Sequence, residues 1–239
     1  MRTSSGLQAV VLVGLIAVVL AGCSSLPRYS PNEVSTGVTV ADKTDAIVLS
    51  PSDHPPTEVG LLFYPGGLVK PEAYLPLLSK IAAQGVFVVL VKMPFDLAFF
   101  DTEKGWKVKG LVPSVRRWVV AGHSLGGVAG AMLVSHHPAA FAGLILLASY
   151  ASNDSDLSSL SLPVLSISAS NDGLATPAKL AAAEHLLPAG TQHVLLEGGN
   201  HGQFGSYGEQ KGDGEPGISR ETQQAQVAAA VLSFLERLP

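Results

Sequence analysis

Residues 118–127 read Trp-Val-Val-Ala-Gly-His-Ser-Leu-Gly-Gly. An apolar strand runs directly into Gly-x-Ser-x-Gly, and a helix opens behind it. Val128, Met132 and Leu133 recur at helical spacing, while Gly126, Gly127, Gly130 and Ala131 allow close packing on a sheet. Gly-x-Ser-x-Gly by itself is common in glycine-containing loops. Between a strand and a helix it describes a nucleophile elbow. There Ser124 stands on a tight, strained turn with its hydroxyl clear of the sheet edge.

The rest of the chain agrees with that setting. Apolar runs at 59–64, 86–91, 118–121, 144–148, 164–168 and 193–196 are short, and several carry Val, Ile or Leu on consecutive positions. Such strands are buried on both faces, as in a parallel sheet. Helical stretches at 72–84, 125–136, 177–187 and 220–238 separate them, with Pro71 and Pro177 suited to first-turn positions. The alternation predicts an α/β fold, a doubly wound and mostly parallel sheet flanked by helices. Residues 39–40 and 46–49 are candidates for antiparallel edge strands. Ligands of such sheets bind beyond the carboxyl ends of the strands.

Fifteen Lys and Arg against nineteen Asp and Glu, net charge -4, leave no basic footprint for nucleic acid. No internal repeat points to a solenoid or propeller. His136 and His137 end a helix, where positive charge is favourable, and His54, His185 and His193 have no partners at metal-ligand spacing, so neither a metal nor another cofactor is expected.

The N-terminus reads as a targeting segment. Arg2 precedes a nearly uninterrupted apolar run from Leu7 to Leu20, too short for an ordinary membrane span. It ends in Leu20-Ala21-Gly22-Cys23, which resembles a bacterial lipobox, and Cys23 is the only cysteine. The expected organisation is a lipoprotein signal peptide at 1–22, a lipidated Pro/Ser-containing tether at 23–35 and one domain at 36–239. That places the protein in a bacterial cell envelope, outside the cytoplasm and anchored to a membrane surface through Cys23.

A serine hydroxyl needs a base within hydrogen-bond reach, and the base needs an acid to orient it. Asp172 follows the 164–168 strand in Ser170-Asn171-Asp172-Gly173, and His201 follows the next strand in Gly199-Asn200-His201-Gly202. The order Ser, Asp, His over successive strand ends makes Ser124, Asp172 and His201 the candidate catalytic residues. Asp154 and Asp156 are the rival acids. Acyl transfer also requires donors for a developing oxyanion. Leu125 N–H, after the nucleophile, is one; the other comes from Pro65-Gly66-Gly67-Leu68, with Gly67 first and Leu68 second. Leu68, His123, Gln203, Phe204 and Tyr207 are possible substrate contacts, the last three if the glycine-rich loop 202–217 folds inward as a flap.

Tyr64-Pro-Gly-Gly-Leu68, Val91-Lys-Met-Pro94, Gly122-His-Ser-Leu-Gly-Gly127, Ser170-Asn-Asp-Gly173 and Gly199-Asn-His-Gly-Gln-Phe204 together resemble the alpha/beta-hydrolase superfamily, in its compact bacterial "fold-5" form. The resemblance covers nearly all of the chain from Val59 onward. It implies a Ser124/Asp172/His201 triad and hydrolase activity, but no particular substrate. The oxyanion loop departs from the family pattern, with Pro65 near the place of the usual histidine. Only 150–162 stands where many relatives insert a lid, so no large cap domain is expected. The reading that follows is a serine hydrolase acting on small acyl esters, a carboxylesterase-type enzyme. An acyltransferase using the same serine and a non-catalytic envelope lipoprotein are the alternatives.

Overall fold

A computed structural model describes residues 27–239. The leader expected at 1–22 and the cysteine at position 23 lie outside the described residues. Eight strands form one sheet: β1 (Val38–Asp42), β2 (Ala46–Pro51), β3 (Val59–Tyr64), β4 (Phe87–Val91), β5 (Arg117–His123), β6 (Gly143–Leu147), β7 (Val164–Ala169) and β8 (Gln192–Leu196). Their order is β1-β2-β4-β3-β5-β6-β7-β8. The pairs β1–β2 and β2–β4 are antiparallel, and every pair from β4–β3 to β7–β8 is parallel.

The consecutive apolar residues are explained by burial on both faces. Leu61 and Phe63 of β3 face one core with Val119 and Ala121 of β5; Leu62 and Tyr64 face the other with Trp118 and Val120. Helices α1 (Leu75–Ala82) and α5 (Arg220–Glu236) cover the first face. Helices α2 (Lys104–Val108) and α3 (Leu125–His136) cover the second. Helix α4 (Pro177–Ala183) follows β7. From β3 the chain crosses to β4 on one side, then returns past β3 to β5 on the other. The reversal opens a crevice at the carboxyl ends of β3 and β5, the usual ligand position in such sheets.

Local chemistry shifts several expected boundaries. The helix expected at 72–84 is a 3-10 turn at Pro71–Tyr74 followed by α1, because Pro76 has no N–H to continue a single ladder. The stretch expected at 177–187 is α4 plus a 3-10 turn, Glu184–Leu186. Leu187 turns extended (φ -103°, ψ 155°), as residues before a proline do. Helix α5 stops at Glu236 rather than 238, and β6 ends at Leu147 because Ala148 takes φ 46°. The short helix α2 had no clear periodic signal.

The described part of the stretch expected as a tether at 23–35 is bonded to the fold from Arg28 onward. Arg28 N–H donates to Ser206 O (2.6 Å) and Ser35 N–H to Ser79 Oγ (2.9 Å), while Glu33 pairs with Arg220. Between β6 and β7 only a short loop with one 3-10 turn, Asn153–Ser155, stands where a cap would be inserted, and no large cap is present among the described residues.

Candidate active site

Among the described residues, the non-glycine residues with positive φ are Leu68, Phe95, Asp96, Ser124 and Ala148. All follow the carboxyl ends of β3, β4, β5 or β6, so backbone strain gathers at one edge of the sheet. Ser124 takes φ 52° and ψ -124° directly before α3. That conformation costs roughly 1–3 kcal/mol and persists only if its surroundings impose it. Here they do. Ser124 N–H donates to Leu147 O (3.0 Å), and Ser124 O accepts from Gly127 N–H (3.0 Å) and Ser149 Oγ (2.7 Å). The turn also needs its glycines, since a β-carbon on Gly122 would lie 2.5 Å from the Gly126 carbonyl carbon.

Asp172 and His201 form a buried pair. His201 Nδ1 lies 2.8 Å from Asp172 Oδ2, with the two side chains 2% and 0% exposed. Asp172 Oδ1 accepts from Leu174 and Ala175 N–H, both at 2.7 Å. The acid therefore also closes its own turn, which fixes where Oδ2 points. Asp154 and Asp156 are exposed, with no contact to His201 among the described residues.

Two side chains that sequence reasoning missed hold this pair in place. Asp213 Oδ1 accepts from Gly173, His201 and Gly214 N–H (3.2, 3.1 and 2.8 Å), and Oδ2 accepts from Gly202 N–H (2.8 Å). One carboxylate thus ties the loop of Asp172 to the loop of His201. Gln223 on α5 accepts from Asn200 N–H (3.0 Å) and donates to Asn200 O (2.8 Å), fixing the residue before His201. The available signal was Asp213 between two glycines, a sequence that suits a carboxylate surrounded by amides. Together with Asn171 and Asn200, which donate to Glu215 O and Gly214 O, these bonds hold 202–217 down as a tied connection.

The expected substrate contacts divide. Phe204 and Tyr207 are 0% and 1% exposed and lie against His123, at 5.5 and 6.5 Å between ring centroids. Their large apolar area is buried under the histidines. His123 is likewise buried: its ring is 4.5 Å from that of His201, and its Nδ1 meets Tyr74 Oη at 2.9 Å. Leu68 and Gln203 are half-buried, and Gln203 Oε1 has no hydrogen-bond partner among the described residues.

Burial pushes His123 well below the usual histidine value, and the nearby charge of His201 adds to the shift. The His201 main chain pulls the other way, yet His123 Nε2 reaches no partner in hydrogen-bond geometry among the described residues. The folded protein thus keeps His123 neutral, whereas the unfolded chain takes up a proton below about pH 6.5. The unfolded state then binds more protons, so stability is full above that pH and falls as pH drops below it. The urea midpoint of the wild type should decline more steeply between about pH 6.5 and about pH 5 than that of His123→Gln. Parallel declines would show that His123 is not the group responsible.

The turn after β3 separates the two candidate oxyanion donors. Leu68 N–H donates to Asp96 O at 2.7 Å, which corrects Leu68 as a donor: its hydrogen is engaged. Gly66 N–H donates to Tyr74 Oη at 2.9 Å, and Pro65 has no N–H. Gly67 N–H and Leu125 N–H donate to no acceptor among the described residues. Between Ser124 Oγ and His201 no hydrogen bond within 3.5 Å is formed. Contacts of this kind often tighten only when substrate binds.

The sequence profile of the alpha/beta hydrolase family matches residues 60–225, well over half of the chain. No curated protein matches it.

Proposed function

The chain belongs to the alpha/beta hydrolase family, and from that premise we propose that it is a serine hydrolase of the carboxylesterase type, working through Ser124, His201 and Asp172. One observation carries the reading. A serine held at φ 52° and a buried Asp172–His201 pair converge on one sheet edge, where the His201 ring lies 4.5 Å from His123, the residue before that serine.

In the proposed reaction Ser124 Oγ attacks the carbonyl carbon of an acyl ester and gives its proton to His201 Nε2. Asp172 holds the imidazole by Nδ1 and stabilises the imidazolium. Gly67 and Leu125 N–H groups receive the oxyanion, each worth about 3 kcal/mol in the transition state. The carbon–oxygen bond to the alcohol breaks as His201 returns the proton to the leaving oxygen. Water, deprotonated by His201, then attacks the acyl-enzyme, the bond to Oγ breaks as His201 returns that proton to Oγ, and the acid departs. The substrate is a small-molecule acyl ester. The enzyme works in the bacterial cell envelope, on the extracytoplasmic side, anchored to a membrane through lipidated Cys23.

The test is hydrolysis of nitrophenyl esters of graded chain length by the full chain. A burst of one nitrophenol per folded chain, followed by slower turnover, supports an acyl-enzyme; no turnover of any ester by folded protein contradicts the proposal. Asp213→Asn gives a second expectation. It keeps the shape but places an N–H group where amide donors now point. Stability should fall by about 2–3 kcal/mol, and kcat by about ten- to a hundredfold through misplacement of His201. Urea unfolding and ester turnover measure the two, and a wild-type kcat in this variant would contradict the positioning role.

A further inference from the structure

We infer that the sheet edge carrying Ser124 lies against a lipid bilayer, with Phe95, Phe99 and Phe100 seated in its interface and bilayer-borne acyl esters as its substrates. The inference rests on the acyl hydrolysis proposed for Ser124 and on the lipid proposed for Cys23. Its structural content is separate from both.

The first observation is where the chain joins the fold. Arg28 N–H donates to Ser206 O, five residues beyond His201, and Ser206 N–H donates to Ala73 O (2.7 Å), just past the Gly67 turn. Cys23 is five residues before Arg28, and such a segment reaches at most about 18 Å when fully extended. A lipid on Cys23 therefore cannot hold the molecule by its far end. It brings the catalytic edge itself to the membrane surface.

The second observation lies on the loop after β4, which is bonded to the 65–74 segment at Leu68. Phe95 is 79% exposed, Phe100 63% and Phe99 37%, and the Phe95 and Phe100 rings meet edge-on at 5.5 Å. The lip is built rather than loose. Phe95 and Asp96 take φ 55° and 57°, Asp96 O holds Leu68 N–H, and the Asp96 carboxylate pairs with Lys70 at 2.6 Å. Strained backbone that presents phenylalanines to water, rather than burying them, marks a contact surface. The Arg28 strap and the lip are thus both tied to the 65–74 segment, through Ala73 and Leu68.

Charge selects the occupant. Near the lip Lys70 pairs with Asp96 and Lys107 with Asp101, while Lys109 lies over the Trp106 ring. Exposed aromatic rings beside paired charges suit the headgroup region of a zwitterionic bilayer. Among the described residues no helix is long and apolar enough to cross a membrane.

The experiment places the full chain in phosphatidylcholine vesicles, with ordinary or brominated acyl chains. Phe95→Trp puts a fluorophore on the lip, and Leu195→Trp puts one on the exposed face of β8. Brominated lipid should remove most of the emission added by Phe95→Trp and leave that added by Leu195→Trp unchanged. Equal quenching at both positions, or none at 95, overturns the inference. So does sedimentation as a dimer with position 95 shielded, which would assign the lip to a second copy of the chain. In a kinetic arm, Phe95→Ser/Phe100→Ser should lose about tenfold in kcat/KM toward an ester dissolved in the vesicles and keep its rate on a water-soluble ester. An equal loss on both overturns it. Quenching does not depend on turnover, so a lip in lipid without hydrolysis would fail the Ser124 reading alone, and hydrolysis without quenching would fail the bilayer reading alone. The mass of the N-terminal peptide reports the lipid on Cys23 independently, and an unmodified Cys23 overturns the anchored orientation.

Discussion

Replacing His201 by alanine should lower kcat for ester hydrolysis by on the order of a hundred-thousandfold or more, down to the small residual rate that binding and oxyanion donors sustain alone. The size of the effect follows from the role. Without the imidazole, nothing takes the Ser124 proton as the hydroxyl attacks, and nothing returns it to the leaving alcohol. Asp172 cannot substitute, because Leu174 and Ala175 amides already hold one of its oxygens and its side chain is 0% exposed. Removing the ring also opens space beside His123, so His201→Gln is the companion variant that keeps more of the packing. Both should fold, by urea unfolding and far-ultraviolet dichroism, and both should be inactive. Appreciable turnover by either folded variant would mean that another group serves as the base.

Gly126→Ala, a change of one methyl group, should reduce kcat by about a hundredfold or more and destabilise the fold by several kcal/mol, about 3. A β-carbon there would stand on the carbonyl oxygens of Tyr64 and Pro65, and 2.7 Å from the Tyr64 carbonyl carbon. These are main-chain atoms at the end of a central strand, so no side-chain rotation relieves the clash. The first turn of α3 and the Gly67 turn must separate. That separation moves Leu125 N–H and Gly67 N–H apart, and those are the two amides assigned to the oxyanion. Gly130→Ala is the control: its β-carbon would meet Val120 Cγ1 at 3.0 Å, a side-chain atom. It should cost stability without a comparable loss of kcat. Equal kcat losses in the two variants would show that elbow–loop spacing is not the sensitive quantity.

The sheet was legible because its signal is local. Strands β3 to β7 are buried largely on both faces, and each appears as an apolar run bounded by turn residues, while the edge strand β8 keeps a shorter run with an exposed face. The helix at 72–84 was misjudged for an equally local reason, since the apolar spacing hid what Pro76 does to the ladder. Other features were set by partners far along the chain. Whether Gly67 or Leu68 has the spare N–H is decided by Asp96 on a different loop. The 28–35 segment resembles a linker until Ser206, Ser79 and Arg220 supply partners. Asp213 reads as one more residue of a glycine-rich turn, and only the fold brings four amides around its carboxylate. Phe204 and Tyr207 sit close enough to His201 in sequence to resemble substrate contacts, yet their apolar area is used beneath the histidines.

The central claim is that Ser124 is an activated nucleophile served by His201. Its most direct test is labelling of the full chain with a fluorophosphonate probe, followed by mapping of the modified peptide, beside Ser124→Ala and His201→Ala. The account predicts one adduct per folded chain, on Ser124, absent from both variants. An unlabelled wild type that is demonstrably folded, or labelling that persists in Ser124→Ala, would contradict it.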